Sequence, residues 1–494
     1  MGTGSARFAV GIVLISVQSA LGQVAQRTPQ EQARRLLEDG QRYRAEQKWK
    51  QAVDNFNTII NGFPDTDSVD DALLALGRYQ AEVEGDLDKA RESFQKVTQQ
   101  FPQSDQAPGA YYWLGMLTLR QAAGQAELDD AVAQFDRVRR LYPGSSWVPA
   151  ALYGSGLAMR RSGDVGGAAE LQRRVSMEYP TGEVAAQAQY ELGHLMALLG
   201  EPLQAMEDFQ QVRNRFPGSP LAERARERIT ALYRFRRGAP SFTRDPSFSV
   251  SGGDVMRDVR ALLLDEQGNL WIASDKTDSA VSFDPEGRMG RSFPGKDLGD
   301  LALTPDGAPV VAARTAVRIG ERDIRSFSLP GPKPEPLERI RAAAVLPGGD
   351  FLVADEKLKA VHRFDASGGH LGPFPDSGER RIIRLGRDAE GGIYMLDERS
   401  GVSVFDAKGE RIRSLPPRGA GYELREPVDV AFDAALNSYV VDRKSAAVFV
   451  FSPAGQLLGT LGRDSLEEPE AIALEPSGSV LVYDNKARQV LRFH

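Results

Sequence analysis

The sequence predicts a multidomain chain of two unlike parts: an α-helical solenoid, then an all-β propeller of six blades closed by a strand from its own N-terminal end. Three observations carry that expectation. An aromatic-Pro pair recurs at Phe63, Phe101, Tyr142, Tyr179 and Phe216, at spacings of 38, 41, 37 and 37 residues. After residue 244, six segments share one design: an apolar run, a Gly or Asn turn, a second apolar run, often an Asp, and a third run ending in an aromatic residue and a small turn. The last segment stops on "QVLRFH", residues 489–494, one run short of the others.

A chain of 494 residues is too long for one core and should divide into domains that each bury substantial apolar surface. An apolar content of 41% and a charged content of 26% are those of a globular protein. The net charge is −7, and residues 241–494 carry 33 basic and 39 acidic side chains. Neither half is basic, so no nucleic acid is expected as a partner, because phosphate affinity needs clustered Lys and Arg.

Residues 1–22 have the pattern of a signal peptide. Arg7 precedes an apolar run, Phe8 to Val17, and Ala20-Leu21-Gly22 places small residues before Gln23. The run is shorter than the roughly 20 residues that span a bilayer. No later stretch is apolar enough, so no transmembrane segment is expected in the mature chain, and the expected location is periplasmic or secreted. Cysteine is absent, which removes disulfides, thiolate metal sites and lipid attachment at an N-terminal cysteine.

Residues 28–236 read as helix pairs. In "DALLALGRYQAEVEGDLDKARESFQKVTQQFPQS" a helical stripe is broken at Gly85 and followed by Ala90, Phe94 and Val97 on one face of a second helix. Pro102 ends that helix because it lacks the N–H for the next bond, and Ser104 can cap the following one. Neither helix buries its stripe alone, so pairs must stack into a solenoid.

Leu76-Gly77, Leu114-Gly115 and Leu192-Gly193, with Ala90, Ala131, Ala168 and Ala205, Phe94, Phe135 and Phe209, and the aromatic-Pro pairs, resemble the tetratricopeptide repeat. The long period and the "FPxS" signature are similar to arrays in bacterial envelope proteins, those of outer-membrane barrel assembly and of the Tol-Pal system. Gln172 departs from the pattern where a phenylalanine belongs, which should weaken one repeat. The resemblance implies that inner helices present side chains to a partner at fixed offsets from the Leu-Gly pair. On this chain those offsets hold Leu74, Tyr112, Tyr153 and Tyr190, with Arg78, Arg120, Arg160, Arg161 and His194. An aromatic and arginine groove suits an extended peptide, and tyrosines packed between helices beside solvated arginines are the alternative.

Residues 237–244 are expected to be a linker and 245–494 the propeller. An Asp follows the second run at Asp275, Asp355, Asp397, Asp442 and Asp484, with Arg314 in the shorter second segment. These acids are expected to cap turns. A period near 40 with four strands per unit means a propeller, and "YVVD", "VFVFSPAGQLLGTLG" and "VLVYD" resemble the NHL-type six-bladed form. The short final segment is completed if the run after the linker, "PSFTRDPSFSVSG", pairs beside the chain end and removes an open edge.

Aligning the six segments places one charged residue per blade at the start of the innermost strand: Arg260, Asp300, Arg341, Arg384, Asp429 and Glu470. They should circle one mouth of the channel, either as a site for a small ligand or a peptide terminus or as a neutral ring that closes it. Enzymes on this fold use a divalent metal held by His and acids near the channel. The chain has only four His, at 194, 362, 370 and 494, without the repeated placement that would converge there; His370 is expected in a solvated Gly-rich turn. No phosphate-cradling loop, nucleophile elbow or zinc-protease motif is present. The expectation is therefore a non-enzymatic envelope scaffold without catalytic residues, metal or cofactor. It would bind other envelope proteins or peptides, one in the solenoid groove and another on the propeller. The alternative is a metal-dependent propeller hydrolase or lyase with a helical recruiting domain.

Overall fold

The computed structural model describes residues 27–494 except 123, 236–241, 249, 251, 321, 322, 347, 376, 377, 379, 407, 408 and 476. The expected signal peptide, residues 1–22, and most of the expected linker lie outside the described residues. The chain forms two compact units, one ending at Leu114 and one beginning at Gly115.

The first unit contains α1 (Pro29–Ala45), α2 (Trp49–Gly62), α3 (Val69–Tyr79), which runs on as a π turn (Gln80–Glu84), α4 (Leu87–Gln100) and the start of α5 (Ala107–Gln121). The second unit continues with α6 (Gln125–Leu141), α7 (Val148–Arg161), α8 (Val165–Glu178), α9 (Glu183–Leu198), α10 (Pro202–Arg215) and α11 (Pro220–Tyr233). The aromatic-Pro pairs act as stops. Phe63, Phe101, Tyr142, Tyr179 and Phe216 each leave the helical region at the C-cap, and each donates a last N–H to the carbonyl four residues back. Ser104 accepts from the N–H of Gln106 and of Ala107, 3.2 Å each, the cap expected there.

Four of the helix pairs are closed by a Gly against a Phe. A Cβ on Gly77 would stand 2.6 Å from the Phe94 ring, and Gly115 meets Phe135 in the same way. Gly40 against Phe56 is an additional pair at the front, which the Leu-Gly criterion misses because Asp39 precedes that glycine. In the repeat expected to be weak, Gln172 fills the phenylalanine's place against Gly156. It is fully buried, and its amide donates to the Tyr153 carbonyl at 3.1 Å.

Among the described residues the β part has two two-stranded ribbons, Ser328–Leu329 with Glu335–Pro336 and Arg418–Gly419 with Tyr422–Glu423, and six antiparallel blade sheets around a channel, the first five four-stranded. Their innermost strands are Val259–Leu264, Leu301–Leu303, Ile340–Val345, Ile382–Arg387, Pro427–Phe432 and Pro469–Leu474, for blades one to six. The sixth blade has three strands of its own, ending at Gln489–Phe493. In the place of a fourth, the start of the domain lies along the last of these through an isolated antiparallel bridge between Arg244 and Phe493. Thr243 and His494 exchange N–H···O bonds at 3.2 and 3.0 Å, and the Asp245 N–H donates to the Arg492 carbonyl at 2.8 Å. An apolar seam of Leu262, Ile272 and Val281 against Ala473, Leu481 and Val490 then joins blade one to blade six. The edge that would template aggregation is thereby paired.

The repeated Asp does more than cap a turn. Asp355 accepts from the N–H groups of Lys357 and Leu358 in its own turn through one oxygen, and from the Arg339 N–H ahead of the inner strand through the other. Asp397, Asp442 and Asp484 repeat this clamp. Asp275 instead takes the Leu298 N–H and the Arg260 guanidinium. His370 is not in a free turn: it opens the outer strand of blade three, and its Nε2 lies 3.0 Å from Nδ1 of His362 on the neighbouring strand.

Candidate functional site

In the first unit, the inner-helix residues Arg78 and Tyr112 meet a side chain the sequence reading passed over, Trp113. The Arg78 guanidinium lies 5.2 Å over the Trp113 ring, and Tyr112 packs edge-on to it at 5.7 Å. Among the described residues, Arg78 Nε and Trp113 Nε1 are both buried donors without a hydrogen-bond acceptor. The carboxylate paired with Arg78 is Glu82, at 3.9 Å and half exposed. Burial, then the adjacent Arg78 charge, pushes the Arg44 guanidinium below its ordinary value. Two cations and two unused donors therefore sit together, an arrangement that favours an incoming acceptor.

In the second unit the corresponding residues are engaged. Arg161 donates to the carbonyls of Leu119 and Ala122, 2.7 Å each, and to Glu410 and Asp406 of the propeller at 2.9 and 3.0 Å. The Tyr190 hydroxyl donates to Glu390 at 3.2 Å and accepts from Arg228 at 3.1 Å, while Arg224 and Arg228 both pair with Glu390. Arg228 is 3% exposed. Ala435 of blade five is buried in the same core as Leu192, Leu195 and Phe209. His194 is buried, and its imidazole is held well below its usual range by burial, then by the Arg160, Arg228, Arg413 and Arg224 charges. Arg160 pairs with the buried Glu191 at 3.1 Å, Tyr153 is half-buried with its carbonyl held by Gln172, and Arg120 is exposed on α5.

Glu390, Ala435 and Glu410 sit in or beside turns joining first to second or third to fourth strands. One face of the propeller therefore carries α7 to α11. The channel mouth, built from the starts of inner strands and the turns after second strands, opens on the opposite face.

The six charged positions of the expected ring lie at two levels. Every inner strand except that of blade two has its ladder interrupted by a bulge, and Arg260, Arg341 and Glu470 are the bulged residues, with Ile383 and Val428 in blades four and five. Gly299 takes this place in blade two, where a Cβ would stand 1.9 Å from the Arg341 carbonyl oxygen. One residue further in, Ala261, Ala342 and Ala471 leave room for Asp300, Arg384 and Asp429. Arg384 reaches across to Asp429 at 2.7 Å, Asp300 at 3.6 Å and the Arg260 carbonyl, and all three side chains are almost fully buried. Asp300 also accepts from the Leu385 N–H and Asp429 from the Ile472 N–H. This inner level is a plug that ties blades one, two, four, five and six. Burial pushes the Asp300 carboxyl up to about 7, with Asp429 adding to the rise and Arg384 opposing it.

The sequence signal that separates the levels is the alanine triplet, which a two-residue alignment window blurs. Above the plug is a cleft of about 240 Å³ lined by Arg260, Arg341, Ile383, Val428 and Glu470. Among the described residues no group of three or more His, Asp or Glu is placed to hold a metal, and no helix is long and apolar enough to cross a membrane.

Fold and sites together define a two-module repeat protein, a helix-pair solenoid joined to a six-bladed propeller. Residues 29–151 match the family of outer membrane lipoproteins YfiO, and residues 187–219 match a tetratricopeptide repeat. Among curated proteins there is no match. Solved structures similar to the chain include a virginiamycin B lyase from Staphylococcus aureus, at 12% identity over 51% of this chain and 85% of that one, with a TM-score of 0.39. A gluconolactonase from Xanthomonas campestris is similar at 11% identity over 52% and 98%, with a TM-score of 0.40. The WD40 propeller of Doa1 is similar at 12% over 48% and 78%, with a TM-score of 0.38. Likeness this distant carries no argument about chemistry.

Proposed function

We propose that the protein is a non-enzymatic scaffold of the bacterial cell envelope, periplasmic after loss of its leader. Its front helical repeats grip one protein partner and the free face of its propeller takes another. The observation that supports this most is the pair of buried, acceptor-less donors on the first unit, Arg78 Nε and Trp113 Nε1, within the stretch that matches an outer membrane lipoprotein family. Buried donors cost free energy until an acceptor arrives; both atoms are shielded from solvent, so a peptide carbonyl or carboxylate reaches them as Arg78 and Trp113 re-pack on binding, and then supplies what the free protein lacks. The back repeats serve a different purpose, holding the propeller at a fixed place. Crosslinking in the native envelope followed by co-purification tests the proposal. A specific envelope protein should be recovered with the wild type and reduced with Arg78→Ala. Recovery of the intact protein alone, under conditions that preserve other envelope complexes, overturns it.

A further inference from the structure

The arginines at the channel mouth are not equivalent. Arg260 is paired with Asp275 at 2.7 Å, Arg443 with Glu426 and Glu470 at 2.7 and 2.5 Å, and Arg381 with Glu356 and Glu398 at 3.4 and 2.7 Å. Arg384 belongs to the plug. Arg341 lines the same cleft, is half-buried, and has no ion pair or hydrogen bond to its guanidinium among the described residues. Burial, then the Arg384 and Arg260 charges, push it below the ordinary arginine value, and Glu356 and Asp275 partly offset them. A half-buried guanidinium without a counter-ion is costly unless something supplies one. Beside it in the bulge level stand Ile383 and Val428, the two apolar members. Among the described residues Arg341 is therefore the guanidinium of the cleft without a direct partner, next to a short apolar wall, while the acids that line the cleft, Glu356, Glu398, Glu426 and Glu470, are held by Arg381 and Arg443. Its volume of about 240 Å³ accommodates a group the size of a single residue.

We propose that the channel mouth is a binding site for a carboxylate carrying a short apolar group, with Arg341 holding the carboxylate and Ile383 and Val428 the apolar part. A peptide C-terminus ending in a small aliphatic residue and a free branched short-chain acid share this chemistry. The inference deepens the reading that the free propeller face takes a partner and rests on it.

Calorimetric titration of the full chain tests it with three probes: an acetylated tripeptide ending in valine, the same tripeptide as its C-terminal amide, and isovalerate. The free-acid peptide should bind, and the amide and the Arg341→Met variant should each bind at least about tenfold more weakly, the loss expected for one charge-assisted contact. Ile383→Glu, which keeps the arginine but offers it an internal acid, should lose binding as well and covers the case of a misfolded Arg341→Met. Tighter binding of the peptide than of isovalerate assigns a chain terminus; equal binding assigns a free acid; both support the carboxylate site. No heat with either acid up to about 10 mM overturns the proposal, as does equal binding of acid and amide, or wild-type affinity in folded Arg341→Met. Envelope co-purification with Arg341→Met keeps the two proposals separable, because the solenoid partner should still be recovered.

Discussion

The two compact units use one helix-pair design to opposite ends. In the first, Arg78 stacks on Trp113 and leaves buried donors without acceptors. In the second, Arg161, Tyr190 and Arg228 occupy comparable inner-helix positions, yet their donors end on propeller carboxylates and local carbonyls. The difference teaches that arginine and tyrosine on an inner helix face do not by themselves mark a partner groove. What decides is whether the chain supplies its own acceptors, and here Glu390 and Glu410 come from 162 to 249 residues further along the chain. The front unit leaves Arg78 Nε and Trp113 Nε1 without acceptors among the described residues, and the back repeats are tied to the propeller.

The contrast can be broken hardest at Glu390. Glu390→Ala leaves Arg228 buried without its carboxylate, a loss expected to cost about 3 to 5 kcal/mol in urea unfolding of the full chain. Arg384→Met does similar damage in the plug by leaving Asp300 and Asp429 facing each other. A loss of about 3 kcal/mol is expected, less at low pH where both acids can protonate.

The first unit should respond in the other direction. The Asp71 carboxyl is raised to about 6 by burial, then by Asp70 and Asp105. A folded value above the unfolded one means that the native state holds this proton more tightly. Its stability contribution is therefore present below about pH 4 and lost as pH rises to about 6. Asp71→Asn should gain about 1 kcal/mol at pH 7, allowing for solvent screening of this part-exposed group, and nothing at pH 4, as read from unfolding curves at both. Smallest of all, Arg78→Ala should change stability by less than about 0.5 kcal/mol while weakening partner recovery.

The fold was legible wherever a local rule repeats. Aromatic-Pro stops, Gly against Phe, and the Asp after each second strand recur at fixed periods, and the short ending of "QVLRFH" pointed to the closing segment that Thr243 and Asp245 now provide. The candidate site positions were less legible because they depend on distance in space. Arg161 and Arg78 look alike along the chain, and only the placement of blade four beside α7 and α11 separates them. The channel ring was readable as six charges but not as two levels, because in blades one, three and six the charge falls on the bulged residue and in blades two, four and five one residue later, and one residue decides between plug and mouth.

The most direct test places a photoreactive amino acid at Glu82, beside Arg78, and in a second variant at Arg224, beside Glu390, followed by irradiation in the native envelope. Adducts to another protein are predicted from position 82, and crosslinks only within the chain, to the propeller, from position 224. Partner adducts from 224 with none from 82 would contradict the assignment of open front repeats and a closed back joint.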